Sequence, residues 1–320
     1  MAEELITVKN LKVHYPIRSG FFNRITDYVY AVDGVDLHFE EGKTYGLVGE
    51  SGSGKSTIGK AIIGLEKITD GQIFYKGEEV SKQARKRRSE YRQNVQMIFQ
   101  DAMSSFNPKR RIIDIMSEPL RNFTNMTAAE EKKRSIELLE IVGLTEDALY
   151  KYPHQFSGGQ RQRIGVARAV ALNPKLVIAD EPVSALDLSV QAQVLNFMKQ
   201  IQDEFNVSYL FISHDLGVVK HMCDEIAIMY RGRFTEYGDS DEIYHNPQHI
   251  YTRRLLSAIP QIDPNMREEN KRIRQEVETE FHAEGAQFFS PEGRVYDLQS
   301  LNDNHKVALN DMSIIQEGGI

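Results

Sequence analysis

The stretch GESGSGKSTIGKAIIGL, from Gly49 to Leu65, constrains the fold of this 320-residue chain more than any other feature. It contains the pattern G-x-x-x-x-G-K-[ST] between a strand-like segment, EEGKTYGLVGE, and a helix-like segment that begins near Lys55. Successive N–H groups in such a turn, together with the N-terminal end of the helix, point at phosphate oxygens. The pattern therefore predicts an α/β fold with a phosphate-binding loop.

The residue types in this loop each have a chemical reason. Glycines allow the backbone to curl tightly, and the lysine is expected to reach the β- and γ-phosphates of a nucleotide. The first hydroxyl after the lysine can bind Mg²⁺, and the second can bind the α-phosphate. The predicted ATP-binding residues are Gly49, Ser51, Gly52, Ser53, Gly54, Lys55, Ser56 and Thr57. The alternative, a flexible turn with an incidental lysine, is disfavoured by polar residues further along the chain.

Two carboxylates follow an apolar run, Leu176 to Ala179, in the segment NPKLVIADEP. A buried parallel strand would place Asp180 and Glu181 at the sheet edge where ligands bind in open α/β folds. Asp180 can hold Mg²⁺ through a water molecule, and Glu181 can polarise the water that attacks the γ-phosphate. Such a pair can also form a helix cap or a solvated turn, but the phosphate loop favours catalysis.

Two other polar residues follow predicted strands. His214 comes after the apolar run Tyr209 to Ile212, and it could bind the γ-phosphate or orient the attacking water. Gln100 follows VQMIF, and its amide could contact Mg²⁺ or the same water. We therefore predict that Glu181, His214 and Gln100 are catalytic and that Ser56, Gln100 and Asp180 hold Mg²⁺.

A second candidate anion site lies in HQFSGGQRQRIGVARA. Ser157 and the amides of Gly158 and Gly159 open a predicted helix, whose dipole favours an anion. No lysine or Mg²⁺ ligand lies near enough in sequence to complete a site. An ordinary capped helix is the alternative.

Between Gln100 and Ser157, a Thr127/Glu130 capping box and Gly143 delimit a further predicted helix.

Composition excludes several classes of function. The net charge of −7 gives no electrostatic reason to expect nucleic acid binding. Cys223 is the only cysteine, so neither a disulfide within the chain nor a cysteine-ligated cluster can form. The start, MAEELITVKN, has no apolar leader, and no run of 18 apolar residues occurs. We expect that the chain does not span a membrane by itself.

Taken together, GESGSGKST, FQ at 99–100, SGGQRQR, VIADEP, SALD at 184–187 and SHD at 213–215 resemble the ATP-binding subunits of ABC transporters. The resemblance covers about residues 5 to 260. FQDAMSSFNPKR and HNPQHIYTRRLLSAIP resemble segments of the oligopeptide/dipeptide importer ATPases more narrowly.

The resemblance implies a P-loop NTPase (RecA-like) core with an antiparallel β subdomain, an inserted α-helical subdomain and a C-terminal extension. The implied boundaries are an ATPase domain at 1–261, with its core at 1–100 and 168–238 and its helical subdomain at 101–167, and an extension at 262–320. The cofactors implied are ATP and Mg²⁺. Many relatives carry a cysteine-rich iron–sulfur motif near the C-terminus, and since this chain lacks those cysteines, no iron–sulfur cluster is expected.

Family position also suggests roles that spacing alone does not. Tyr15 would stack on adenine, with Tyr30 as the second choice. Cassettes of this family dimerise head to tail, so residues of one subunit contact ATP held by the other. The in-trans residues implied here are Ser157, Gly158, Gly159, Gln160 and Asp187.

The function implied is ATP hydrolysis that energises import of oligopeptides or dipeptides. The partners implied are a second ABC ATPase subunit in a heterodimer, two integral-membrane permease subunits and an extracellular peptide-binding receptor. The subunit would be peripheral, at the cytoplasmic face of the membrane. Two alternatives stay open: an importer ATPase for nickel or another small solute, and a non-transport ABC ATPase.

Overall fold

The computed structural model describes residues 4–20, 22–81, 88–101, 105–259, 267–283 and 285–311. In chain order, the strands are β1 (Glu4–Ser19), β2 (Arg24–Glu40), β3 (Thr44–Val48), β4 (Asp70–Tyr75), β5 (Glu78–Glu79), β6 (Val95–Ile98), β7 (Leu176–Asp180), β8 (Ser208–Ser213), β9 (Glu225–Tyr230), β10 (Arg233–Asp239), β11 (Leu298–Asn302) and β12 (His305–Ala308). The α-helices are α1 (Lys55–Ile62), α2 (Arg88–Asn94), α3 (Ile112–Phe123), α4 (Ala128–Ile141), α5 (Gly158–Ala169), α6 (Leu188–Phe205), α7 (Leu216–Lys220), α8 (Ser240–His245), α9 (Ile250–Ser257), α10 (Arg267–Ala283) and α11 (Gly285–Phe288).

The chain divides into two compact units. The described residues of the first unit fall in Met1–Thr7, Leu37–Lys43 and Gln72–Ile212, and those of the second in Val8–Asp36, Thr44–Gly71 and Ser213–Ile320. The domain boundaries given above stay predictions, and the boundary at 261/262 lies outside the described residues.

The first unit contains the parallel strands β6, β7 and β8, in that spatial order. Every residue of β7 and of β8 is buried, which explains why these strands are continuous apolar runs rather than alternating ones. The helices of this unit pack together, with α4 in contact with α3, α5 and α6. The short strands expected before Asp180 and before His214 are therefore confirmed.

Helix α4 begins at the predicted capping box. The Thr127 hydroxyl accepts a hydrogen bond from the Glu130 N–H, and the Glu130 carboxylate accepts one from the Thr127 N–H at 2.7 Å. Gly143, just beyond the helix, has a φ of 69°, a left-handed conformation that glycine adopts without strain. Both predicted ends of this helix are confirmed.

The second unit contains a mixed sheet. Strand β3 pairs in parallel with β9, β9 pairs antiparallel with β10, β10 with β12, and β12 with β11. Strands close to the C-terminus thus extend the same sheet that carries the phosphate loop at the end of β3.

The C-terminal helices and strands of the second unit have an apolar core of their own. Its buried members are Ile250, Val277, Phe288, Val307 and Leu309. Burying each such side chain contributes about 1.5–3 kcal/mol before the entropy cost. Helix α10 alternates charges along its exposed side and buries Val277 against this core.

A separate sheet has the strand order β2-β1-β4-β5. Strands β1 and β2 form a hairpin, in which the Asn23 N–H donates to the Gly20 carbonyl at 3.0 Å. Strands β4 and β5 pair antiparallel. This sheet corresponds to the antiparallel β subdomain that the family resemblance implies.

Candidate nucleotide-binding site

The phosphate loop runs directly from β3 into α1. Gly54 caps α1 with a φ of 109°, and Gly52 has a φ of 81°. A Cβ atom at Gly49 would lie 2.2 Å from the Met229 carbonyl oxygen, and one at Gly54 would lie 2.0 Å from the Ala31 carbonyl oxygen. Neighbouring backbone therefore excludes any larger residue at positions 49 and 54, and the tight curl of the loop depends on glycine.

Lys55 lies at the start of α1 and is only 4% exposed. Its Nζ donates to the carbonyl oxygens of Gly49 at 2.7 Å and of Glu50 at 2.8 Å, and it lies 3.4 Å from Ser53 Oγ. A buried ammonium group needs such oxygen partners. A cation held within a glycine turn at a helix N-terminus fits a phosphate group, because both the charge and the N–H dipoles favour an anion.

The other predicted residues of this loop lie where the sequence places them. Ser51 is exposed in the turn, and Ser56 and Thr57 are partly buried in the first turn of α1.

Tyr15, on β1, lies beside α1. The pKa of its phenol is raised, first by partial burial and then by the charge of Glu66, while the Thr57 side chain acts in the opposite direction. The residue as a whole is 38% exposed. Tyr30 instead packs edge-on against His14, with ring centroids 4.6 Å apart. Stacking of Tyr15 on adenine stays a prediction.

The two carboxylates stand at the end of β7, in the first unit. Asp180 is 5% exposed, and Glu181 follows it with a φ of 46°. The Glu181 N–H donates to the Ile212 carbonyl oxygen at 3.0 Å, and Gln100 Nε2 donates to Glu181 Oε2 at 2.8 Å. The structure therefore brings together two residues that we predicted to be catalytic and that are 81 positions apart.

The positive φ of Glu181 was not foreseen from the sequence. A non-glycine residue in the left-handed region costs on the order of 1–2 kcal/mol, and such strain is concentrated at functional sites. No local signal predicts it, since glutamate has no preference for this conformation. It re-aims the side chain at a strand end that would otherwise continue in extended geometry.

His214 lies at the end of β8, in the second unit together with the phosphate loop and Tyr15. Its side chain is exposed. The residues on either side hold the turn: the Asp215 N–H donates to Ser213 Oγ at 2.9 Å, and Asp215 Oδ1 accepts from the Gly217 N–H at 2.8 Å. The role of His214 in the reaction stays a prediction.

The segment SGGQ opens helix α5, as predicted. Ser157 Oγ accepts from the Gln160 N–H at 3.2 Å, and Gln160 Oε1 accepts from the Ser157 N–H at 2.9 Å. Gly158 is exposed, whereas a Cβ atom at Gly159 would lie 2.4 Å from Val190 Cγ1. The two glycines therefore differ: packing against α6 requires Gly159, and local packing does not require Gly158.

Asp187 immediately precedes α6 and is exposed. Its neighbour Leu186 lies 3.8 Å from the position that a Cβ atom on Gly158 would take. The structure thus brings together the two segments that we predicted to act in trans.

One contact in the phosphate loop was missed by sequence reasoning. The Glu50 N–H donates to the hydroxyl of Tyr251, on α9, at 3.2 Å. The tail segment that contains Tyr251 was noted for its family resemblance, but no signal in it points to the phosphate loop.

Two family models match the chain. Residues 32–184 match "ABC transporter", and residues 235–291 match "Oligopeptide/dipeptide transporter, C-terminal region". The oligopeptide transport ATP-binding protein OppF of Lactococcus lactis subsp. lactis is 60% identical over 306 residues, which cover 96% of each chain. The chain is an ABC transporter ATP-binding subunit of the oligopeptide/dipeptide family.

Further relatives and solved structures agree with this membership. The ABC subunit is 49% identical to the oligopeptide transport ATP-binding protein AppF of Bacillus subtilis, over 81% of this chain and 79% of the relative. It is also similar to a dimeric ATP-binding cassette bound to ADP and phosphate, with 27% identity and a TM-score of 0.66 over 74% of this chain and 99% of the other. The α/β P-loop NTPase fold is therefore confirmed. Over the described residues, no helix of the ABC subunit is both long and apolar enough to cross a bilayer.

Proposed function

We propose that this subunit hydrolyses ATP to drive import of oligopeptides or dipeptides through a membrane permease. The observation that carries the proposal is the 60% identity over 96% of the chain to an oligopeptide transport ATP-binding protein. The glycine-lined loop around the buried Lys55 supports nucleotide binding independently of that likeness.

The phosphate groups of ATP would be bound by the loop from Gly49 to Thr57, with Lys55 at the β- and γ-phosphates. Ser56 and Gln100 would bind Mg²⁺ directly, and Asp180 would bind it through water. When bound, Mg²⁺ neutralises charge on the phosphate oxygens. Hydroxyl, carboxylate and amide oxygens are the ligands that this hard cation prefers, so the residues present fit it. We do not propose an iron–sulfur cluster.

Glu181 would act as the general base. Gln100 donates to one of its oxygens, which restrains the carboxylate, and its left-handed backbone sets the direction of the side chain. A carboxylate that is oriented in advance loses little rotational freedom when it accepts a proton from water. His214 would contact the γ-phosphate or hold the attacking water.

The second half of each ATP site would come from a partner cassette. The exposed start of α5 and the adjacent Asp187 support this, because an exposed helix N-terminus favours an anion. The partners in the proposal are a second ABC ATPase subunit, two integral-membrane permease subunits and an extracellular peptide-binding receptor. The subunit would sit at the cytoplasmic face of the membrane.

The first test is Glu181→Gln in the full-length chain. The amide keeps the size of the side chain and an acceptor for Gln100, so ATP binding should persist and the dimer should lock. Loss of the base should lower the rate of hydrolysis by about 100- to 10,000-fold. Glu276→Gln, on the exposed side of α10, is the matched control. Near-normal turnover of Glu181→Gln would show that Glu181 is not the base.

The cargo requires a second experiment. Affinity purification from membranes should recover two integral-membrane proteins with the subunit, and reconstituted vesicles that contain the receptor should accumulate a labelled tri- or tetrapeptide when ATP is supplied. Uptake of nickel without peptide uptake would support the small-solute alternative. Absence of any membrane partner would support a non-transport ATPase.

A further inference from the structure

The contact between Tyr251 and the phosphate loop links the C-terminal region to the nucleotide site. Tyr251 lies within residues 235–291, the part that matches the oligopeptide/dipeptide C-terminal model. Its hydroxyl oxygen accepts the Glu50 N–H across 201 positions of the chain. Glu50 is the residue directly after Gly49, where the loop leaves β3.

The Tyr251 side chain has little freedom to move. It is 0% exposed, and its ring packs on the ring of Tyr230, with centroids 4.6 Å apart. Tyr230 in turn contacts Phe289 at 5.4 Å. Burial raises the pKa of the Tyr251 phenol to about 12, so the group is neutral at ordinary pH. The oxygen therefore stands at a fixed place for the loop N–H.

His249 fixes the backbone of Tyr251. Its Nδ1 accepts the Tyr251 N–H at 3.1 Å, which caps the start of α9. Burial lowers the pKa of His249 to about 3, so the ring is neutral and its proton lies on Nε2. That ring packs edge-on against Phe288, with centroids 4.7 Å apart. The cap is thus part of the C-terminal apolar core.

Glu236, on β10, holds His249 in place. This carboxylate is fully buried and accepts the His249 N–H at 3.1 Å and the Gln248 N–H at 2.7 Å. It also pairs with His305 Nε2, on β12, at 2.7 Å. A buried carboxylate with three hydrogen-bond partners is a rigid anchor, because removing any partner leaves charge uncompensated.

The other end of the loop turn, at Ser53, is also bonded to a group outside the loop. The Gly232 N–H, between β9 and β10, donates to the Ser53 carbonyl oxygen at 2.9 Å. Within the turn, the Ser53 N–H donates to the Glu50 carbonyl oxygen at 3.2 Å. Both ends of the turn are therefore bonded to groups outside the loop, and one of those groups belongs to the C-terminal region.

From this chain of contacts, we propose that the C-terminal region positions the phosphate loop, and that Tyr251 is the positioning residue. The hydrogen bonds link Glu236 to His249, His249 to Tyr251, and Tyr251 to Glu50. The inference rests on the proposed function, since it assumes that the loop binds nucleotide. Without the hydroxyl, the Glu50 N–H has no partner at this place and the loop samples more conformations. Nucleotide binding then has to order the loop, and the conformational entropy lost in that ordering weakens the affinity for nucleotide.

The experiment compares Tyr251→Phe with Tyr209→Phe in the full-length chain. Both changes remove one hydroxyl from a buried tyrosine and keep the ring. The Tyr209 hydroxyl belongs to the first unit, where it donates to the Met198 carbonyl oxygen at 3.2 Å. A hydrogen bond of this kind is worth about 0.5–1.5 kcal/mol, so Tyr251→Phe should raise the Kd for MgADP about two- to tenfold. Tyr209→Phe should leave that Kd unchanged.

Hydrogen exchange provides a readout that does not depend on nucleotide. Tyr251→Phe should speed amide exchange at residues 49–53 by a similar factor, and Tyr209→Phe should not. Equal Kd values and equal loop exchange in the two variants would overturn the inference, while failure of the wild-type chain to bind MgADP would instead overturn the proposed function. If Tyr251→Phe does not fold, the rate of hydrogen exchange at the Glu50 amide of the wild-type chain is measured instead. Strong protection of this amide supports its hydrogen bond to Tyr251, and exchange at the rate of an open loop refutes it.

Discussion

The left-handed backbone of Glu181 allows strain and catalysis to be separated at one position. We compare Glu181→Gly with Glu181→Ala. Both variants lose the carboxylate and the hydrogen bond from Gln100, so those losses cancel in the comparison. The variants differ only in a Cβ atom at a residue whose φ is 46°.

The magnitude follows from two opposing terms. The Cβ atom in the left-handed region costs about 1–2 kcal/mol, which glycine avoids. Glycine loses more conformational entropy on folding, which costs about 0.5–1 kcal/mol relative to alanine. The free energy of unfolding should therefore be about 0 to 1.5 kcal/mol higher for Glu181→Gly than for Glu181→Ala. If Glu181 is the general base, as we propose, both variants should lose hydrolysis.

The assay is equilibrium urea denaturation of the two variants, with ATP turnover measured on the same preparations. Glu276→Gly and Glu276→Ala form the control pair, since position 276 lies in helix α10. There the order should reverse, with alanine about 1 kcal/mol more stable than glycine. If alanine is more stable than glycine at position 181 by as much as it is at position 276, the backbone of Glu181 is not strained. If Glu181→Gly hydrolyses ATP, Glu181 is not the base.

Two further predictions concern the start of α5 and the buried pair of His305 and Glu236. Gly158→Ala should fold and bind ATP normally but impair hydrolysis in the assembled dimer, whereas Gly159→Ala should lower stability because its Cβ atom would lie 2.4 Å from Val190. The second prediction uses pH. Burial acts to lower the pKa of His305, but the hydrogen bond and charge of Glu236 outweigh it, so the pKa lies above its ordinary value. The His305–Glu236 pair therefore contributes to the free energy of unfolding. That contribution is fully present below about pH 6.5 and is lost as pH rises through the folded-state pKa of His305.

Both predictions have clear controls. For the glycines, thermal denaturation separates folding from activity, and equal melting temperatures for the two variants would contradict the packing argument. For the His305–Glu236 pair, His305→Gln should make the free energy of unfolding less dependent on pH above about 6.5. An unchanged dependence in that variant would mean that His305 is not the group that titrates.

Much of the site could be predicted because its elements are local in sequence. A glycine turn followed by lysine and a helix requires only a few neighbouring residues, and so does the Thr127/Glu130 capping box. The short apolar runs before Asp180 and His214 indicate buried strands, because parallel strands that are covered on both faces are apolar along nearly their whole length. These elements are present in the structure where the sequence predicted them.

Other features could not be predicted, because they depend on residues that are distant in the chain. Gln100 and Glu181 are 81 positions apart, and their hydrogen bond exists only because β6 and β7 are neighbouring parallel strands. The different constraints on Gly158 and Gly159 arise from Val190 on another helix. Nothing in the SGGQ pattern itself distinguishes the two glycines.

The sequence by itself determined the phosphate loop, the capped helices and the membership of the ABC family, because short-range backbone preferences and motif spacing encode them. Only the tertiary structure decided that Glu181 is strained and that Tyr251 holds Glu50. The physical reason is that these contacts form when separate strands and helices pack, and the position of each atom then depends on the whole sheet. A hydroxyl 201 residues away in sequence thereby becomes part of the phosphate loop.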